Sequence, residues 1–98
     1  MNDAQLPGSV AISRDVVFRD LDGEAVILDL ASGVYFGLDP VGTRMWQLIE
    51  QHGVMDEVVR ALCEEYDAPR ETIAHDLETL VTQLLDKQLL VPAPPEAS

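Results

Sequence analysis

The chain has few of the residues that build disulfides and metal sites. Its 98 residues include one cysteine, Cys63, and two histidines, His52 and His75. A single cysteine cannot form an internal disulfide, and a reducing cytoplasm is the expected compartment. Neither histidine has a second histidine at a ligand spacing such as i+4. The sequence therefore predicts neither a metal site nor a cofactor.

Long apolar runs and catalytic motifs are also lacking. No apolar run approaches the roughly 18–20 residues that span a bilayer. Residues 1–5 lack the basic and apolar blocks of a signal peptide, so no membrane partner is expected. The chain shows no nucleophile–base pair, and Gly33 and Gly37 do not form a phosphate-binding loop. We therefore predict that the protein is not an enzyme.

Positive charge is scarce. Six basic residues face 18 acidic ones, which gives a formal net charge of −12. Such a surface repels phosphate backbones, and no cluster of basic residues offsets it locally, so nucleic acid is not an expected partner. A partner that carries lysine or arginine would associate faster.

The hydrophobic pattern of the chain changes from the two-residue period of strands to the spacing of helices. Residues 24–30 and 34–38 follow the two-residue period of strands, and Asp22-Gly23 predicts a hairpin turn before them. On the second strand, Val26, Leu28 and Leu30 share one face, and Ala25, Ile27 and Asp29 share the other. A first strand is expected over 16–20, with an irregular extension back to residues 10–12. On the third strand, Val34, Phe36 and Leu38 are expected to face the core, with Tyr35 and Gly37 facing outward.

Helical spacing follows the strands. Asp39-Pro40 predicts a helix start, and a first helix over 40–51 should end at Gly53. Second and third helices are expected over 55–66 and 70–87, with Trp46 filling the core between the first helix and the sheet. An apolar segment, Leu89-Leu90-Val91, should fold back on the core.

The predicted fold class is α+β, with a three-stranded antiparallel sheet followed by three helices, similar to a winged helix-turn-helix. We expect a flexible arm over residues 1–9, one domain over 10–91 and a disordered, proline-rich tail over 92–98. A winged helix most often binds DNA, but the third helix offers too few basic side chains for base edges or phosphates. A transcription regulator and an acidic dimerisation module remain the alternative functions.

Three segments together resemble the PqqD-like family of leader-peptide-binding domains, also called RiPP recognition elements. They are D-G-E-A-V-I-L-D-L-A-S-G-V-Y-F-G-L-D-P-V-G-T-R-M-W-Q-L-I over 22–49, V-V-R-A-L-C-E-E-Y-D over 58–67 and D-L-E-T-L-V-T-Q-L-L-D-K-Q-L-L over 76–90. The resemblance covers about residues 16–91, and it is closest to the small proteins that accompany lasso-peptide clusters.

The resemblance implies a non-catalytic chaperone for a precursor peptide. Family members bind the leader as an added strand in the cleft between the third strand and the third helix, and present it to a leader peptidase, cyclase or radical enzyme. A monomer or weak dimer is expected. Carried onto this sequence, the peptide-binding residues are Val34, Tyr35, Phe36, Gly37, Leu38, Ile73, Asp76, Leu77, Leu80 and Leu84.

Overall fold

A computed structural model describes residues 7–22 and 24–93 of the chain. Five strands and three helices follow one another in the order β1 (Val10–Ile12), β2 (Val16–Leu21), β3 (Glu24–Asp29), β4 (Tyr35–Leu38), α1 (Pro40–His52), α2 (Met55–Glu65), α3 (Arg70–Asp86) and β5 (Leu90–Pro92). The predicted class is confirmed, because a three-stranded antiparallel sheet is followed by three helices.

The main sheet has the order β2-β3-β4, with β3 in the centre. Asp22 has the positive φ of 58° that the predicted hairpin turn requires, while Gly23 lies outside the described residues. Ile27 pairs with Phe18 on one side and with Phe36 on the other, and it is fully buried. The alternation of β3 therefore turns the Ile27 face toward the helices.

A short turn that side chains stabilise joins β3 to β4. Gly33 takes a φ of 80°, and its N–H donates to the carbonyl oxygen of Asp29 at 2.8 Å. The Asp29 carboxylate accepts from the Ala31 N–H, and the Ser32 hydroxyl accepts from the Val34 N–H. These bonds fix the register of the hairpin, as Asp and Ser side chains commonly do in turns.

The segment at residues 10–12 does not extend β2, so that expectation is wrong. Ile12 pairs with Leu90 instead, and β1 forms a separate two-stranded antiparallel sheet with β5. The turn at residues 13–15 takes β1 away from β2, and β5 then supplies its partner. Leu89 and Leu90 are buried, which confirms that this apolar segment folds back on the core.

Residues of the expected N-terminal arm and C-terminal tail also make backbone hydrogen bonds. The Met55 N–H donates to the carbonyl oxygen of Gly8, and the Ala93 N–H donates to that of Ser9. The rest of the expected arm and tail, residues 1–6 and 94–98, lies outside the described residues.

Local signals at both ends of α1 determine its length. The Asp39 carboxylate caps the helix by accepting from the Gly42 N–H at 2.7 Å, and Pro40 occupies the first turn. At the other end Gly53 takes the left-handed conformation, with φ 72°, and its N–H donates to Ile49. The predicted start and stop of this helix are confirmed.

The core lies between the main sheet and the three helices. Trp46 is 1% exposed, and its indole stacks on Phe18 of β2 with 6.3 Å between ring centroids and 11° between planes. This pair confirms Trp46 as a core residue between α1 and the sheet. The buried apolar residues of the helices include Met45, Leu48, Ile49, Val58, Leu62, Ile73, Leu77, Val81 and Leu84.

Candidate functional site

Strand β4 has one free edge. It pairs with β3 alone among the described strands, and the Asp29 N–H donates to the Val34 carbonyl oxygen at 2.9 Å. Residues of an antiparallel strand alternate in the direction of their backbone groups. Phe36 and Leu38 therefore bond toward β3 as Val34 does, and Tyr35 and Gly37 direct their N–H and C=O groups to the free edge.

The face of β4 is also open at Gly37. No heavy atom of the described structure lies within 4 Å of the position that a Cβ would take at that residue. The Tyr35 side chain is 70% exposed, which confirms that these two residues face outward. The opposite face behaves as expected too, because Leu38 is buried and Val34 and Phe36 are half-buried.

A groove of about 420 Å³ runs between the β4–α1 segment and helix α3. Residues spaced three and four apart on α3 share one helix face, so Asp76, Leu80 and Gln83 line the same wall. The complete lining is Phe36, Gly37, Leu38, Asp39, Val41, Gly42, Met45, Asp76, Thr79, Leu80 and Gln83.

Fewer apolar residues of α3 line the groove than the sequence predicted. Leu77 and Leu84 are buried in the core, at 1% and 0% exposure, and Ile73 is 6% exposed. Leu80 is half-buried and lines the groove. The apolar stripe of α3 is wide because β5 also packs against this helix, so the stripe serves the core as well as the groove.

The structure thus brings part of the predicted set together. Five of the ten predicted residues line the groove, namely Phe36, Gly37, Leu38, Asp76 and Leu80. Tyr35 lies beside them on the free edge, and Val34 directly precedes the strand. The lining residues that sequence reasoning missed include Val41 and Met45 of α1 and Thr79 and Gln83 of α3. The 76/79/80/83 spacing was the signal that could have found the last two.

A smaller pocket of about 170 Å³ adjoins the groove. Val41, Met45 and Asp76 line both cavities, so the two are neighbours at the beginning of α1. The pocket is mainly apolar, and its other lining residues are Leu62, Tyr66, Ala68, Thr72 and Ile73.

The charge of the groove is negative. Asp39 and Asp76 are its charged lining residues, and no lysine or arginine lines it. One oxygen of Asp39 is engaged by the Gly42 N–H, whereas Asp76 is exposed. The groove can therefore form backbone hydrogen bonds, bury apolar side chains and attract a cation.

The ion pair best defined by geometry lies away from the groove's lining. Arg44 of α1 makes two hydrogen bonds to Glu65 of α2, at 2.8 Å and 2.6 Å. Hydrogen bonding from the guanidinium lowers the pKa of the Glu65 carboxyl, and the same bond raises the pKa of Arg44. This pair ties α1 to α2 and has a structural role.

The lining contains two carboxylates, Asp39 and Asp76, and no cysteine, histidine, serine or lysine. Within residues 7–22 and 24–93, no group of three or more His, Cys, Asp or Glu side chains is arranged to hold a metal ion. In the same part of the chain, no helix is long and apolar enough to cross a bilayer.

Comparison with known proteins identifies the family. Residues 24–90, more than half of the chain, match the family model described as coenzyme PQQ synthesis protein D (PqqD). The chain belongs to the PqqD family. No curated protein matches it significantly.

Two solved structures share the fold. One, described as "TbiB1 in Complex with the TbiA(beta) Leader Peptide", is 42% identical, with a TM-score of 0.77 over 85% of this chain and 96% of that one. The other, "Lasso peptide synthetase B1 complexed with the leader peptide", has a TM-score of 0.76 over 86% of this chain and 99% of that one. At 24% identity, this second likeness concerns the fold.

Proposed function

We propose that the protein binds the leader of a ribosomally synthesised precursor peptide as an added β-strand on β4. The observation that carries the proposal is the free edge at Tyr35 and Gly37, which lies beside an apolar groove in a PqqD-family fold. An edge strand of this kind supplies main-chain hydrogen bonds, and neighbouring pockets supply specificity.

The short free edge of β4 can supply only part of the binding free energy. Only Tyr35 and Gly37 of the four-residue strand direct backbone groups outward, so few ladder bonds can form. A leader that is disordered when free must also be ordered on binding. Apolar side chains that enter the groove beside Leu80 therefore supply much of the binding free energy.

The relatives support this proposal. The 42% identical structure is a complex with a leader peptide, and its fold covers nearly all of both chains. The groove lies between β4 and α3, where the family resemblance places the leader.

In this proposal the protein holds the precursor and leaves the chemistry to another protein, as the PqqD-like resemblance implies. A separate maturation enzyme, such as a leader peptidase, cyclase or radical enzyme, must then act on the bound precursor. A cytoplasmic location fits this division of work, because precursor peptides are synthesised there.

The two alternative functions have less support. Helix α3 carries Glu71, Asp76, Glu78 and Asp86 against one arginine, and Lys87 follows its end, so it is unsuited to a DNA groove. Dimerisation through β4 would bring two chains of formal charge −12 together, which electrostatic repulsion opposes.

Calorimetric titration with the TbiA(beta) leader peptide tests the proposal. We expect the wild-type protein to bind it and Gly37→Pro to weaken binding by about tenfold, because proline removes an outward N–H and restricts φ. Gly37→Ala keeps the N–H and adds a Cβ into open space, so it is the matched control. The peptide mass should stay unchanged after incubation with the purified protein.

Equal affinity of Gly37→Pro and Gly37→Ala would contradict strand addition at this edge. Tight binding of duplex DNA by the wild-type protein would instead favour the regulator, and a concentration-dependent dimer abolished by Gly37→Pro would favour the dimerisation module.

A further inference from the structure

Asp76 lies where the two cavities meet. It lines both the groove of about 420 Å³ and the adjoining pocket of about 170 Å³. Strand β4 ends at Leu38, before this junction, so the pocket lies beyond the part of the groove where a peptide can pair with the strand. A ligand that occupies both cavities would contact the residues that they share, which are Val41, Met45 and Asp76.

The small pocket suits one apolar side chain. Its walls come from α1, from the end of α2, from the connection at Ala68 and from the first turns of α3. A cavity of roughly 150 Å³ lined by apolar side chains is large enough for a benzene-sized molecule. The pocket of about 170 Å³ therefore has room for a single large aliphatic or aromatic group.

The Asp76 carboxylate, which lines this pocket, has no cationic partner in the described structure. No lysine or arginine lines either cavity, and Arg44 is held by Glu65. Within the described part of the chain, Asp76 makes no ion pair and no side-chain hydrogen bond. The other acidic group of the groove, Asp39, already accepts the Gly42 N–H with one oxygen.

We propose that this junction is a specificity site for a basic-plus-apolar pair in the leader. The bound peptide continues past β4, places one apolar side chain in the small pocket and sets a lysine or arginine against Asp76. The inference rests on the proposed function and extends it from strand pairing, which is indifferent to sequence, to the chemical class of the leader. The same carboxylate disfavours leaders with an acidic residue at that position.

Selection from a displayed library of random peptides tests the proposal without knowledge of the natural leader. Peptides selected on the wild-type protein should be enriched in Lys or Arg at one position, close to a position enriched in large apolar residues. Asp76→Asn should remove the basic preference, and Asp76→Lys should replace it with Asp or Glu. Glu78→Gln is the matched control, because Glu78 is exposed on α3 and lines neither cavity.

Affinity measurements on one selected peptide give the size of the effect. Asp76→Asn should weaken its binding about two- to fivefold, as expected for an exposed ion pair. Replacement of the peptide's basic residue by norleucine should weaken its binding to the wild-type protein by the same factor. The replacement should not weaken binding to Asp76→Asn further, because both changes remove the same interaction.

A second variant addresses the pocket. Ala68 is exposed and lines it, so Ala68→Leu fills the pocket from its rim without altering the buried core. Peptides selected on this variant should lose the large apolar preference and keep the basic one.

The outcomes separate this inference from the proposed function. Selected peptides that depend on the Gly37 N–H but show no basic preference would overturn the specificity site and leave strand addition standing. Failure of the wild-type protein to select or bind any peptide would overturn both. A basic preference that survives Asp76→Asn would show that the net charge of the chain, and not Asp76, is responsible.

Discussion

The backbone N–H of Asp29 donates to the carbonyl oxygen of Val34 at 2.9 Å, and this bond sets the phase of the β3–β4 ladder. Because backbone direction alternates along the strand, it determines that Tyr35 and Gly37 are the β4 residues available to a new strand. A shift of one residue in the hairpin would instead direct the backbone groups of Phe36 and Leu38 to the free edge.

The stack of Phe18 on Trp46 should contribute measurably to stability. Phe18 is half-buried, so Phe18→Ala should lower the free energy of unfolding by about 2 kcal/mol, less than the loss for a fully buried ring. Urea unfolding measures the change, and the single tryptophan reports on its surroundings by fluorescence. Tyr35→Ala, which removes an exposed ring, should change stability by less than about 0.5 kcal/mol; equal losses for the two variants would contradict the assignment.

The Arg44–Glu65 pair should make stability depend on pH. The folded-state pKa of Glu65 lies below its ordinary value of 4.5, so its contribution is present above that value and is lost as the pH falls through the folded pKa. Both side chains are more than a third exposed, which limits the contribution to less than about 1 kcal/mol.

Unfolding of wild type and Glu65→Gln at neutral pH and at pH of about 3 measures this contribution. The difference between the two proteins should be present at neutral pH and smaller in acid. Glu64→Gln alters an exposed neighbour without an ion pair in the described structure, and should be neutral. A Glu65→Gln difference that is the same at both pH values would show that the effect is not ionic.

The Asp39 cap should contribute about 1 kcal/mol to the free energy of unfolding. Asp39→Ala removes the acceptor of the Gly42 N–H, whereas Asp39→Ser keeps one, so serine should restore most of the loss. Chemical denaturation measures both. Equal stability of the alanine and serine variants would show that the side chain does not cap α1.

Gly53 should resist substitution for two reasons. Its φ is 72°, and a Cβ there would lie 3.3 Å from the carbonyl oxygen of Val10. Gly53→Ala should therefore lower the free energy of unfolding by about 1–2 kcal/mol. Gly53→Asn should lower it less, because asparagine tolerates the left-handed conformation better. Gly8→Ala, where a Cβ meets open space, is the control for thermal unfolding. A neutral Gly53→Ala would contradict the assigned helix end.

Local signals in the sequence predicted the elements well. Asp39-Pro40 and Gly53 determined α1, and the two-residue alternation of 34–38 placed Tyr35 and Gly37 outward. These features depend on a few neighbouring residues, so one sequence is enough to recognise them.

Long-range relationships could not be predicted in the same way. The pairing of β1 with β5 joins two three-residue strands at opposite ends of the chain, and neither strand carries a periodic signal. Strand β5 of that sheet also packs against the apolar stripe of α3. The sequence therefore could not show whether Leu77 and Leu84 are buried in the core or available to a ligand. The Arg44–Glu65 pair spans 21 residues and has no local pattern.

Amide hydrogen exchange of β4, followed by NMR with and without the TbiA(beta) leader peptide, tests strand addition most directly. The account predicts that the Phe36 and Leu38 amides are protected in the free protein by their bonds to β3. The Gly37 and Tyr35 amides should exchange quickly when free and become protected when the peptide binds. Saturating peptide that leaves both amides exchanging as fast as before would contradict the account.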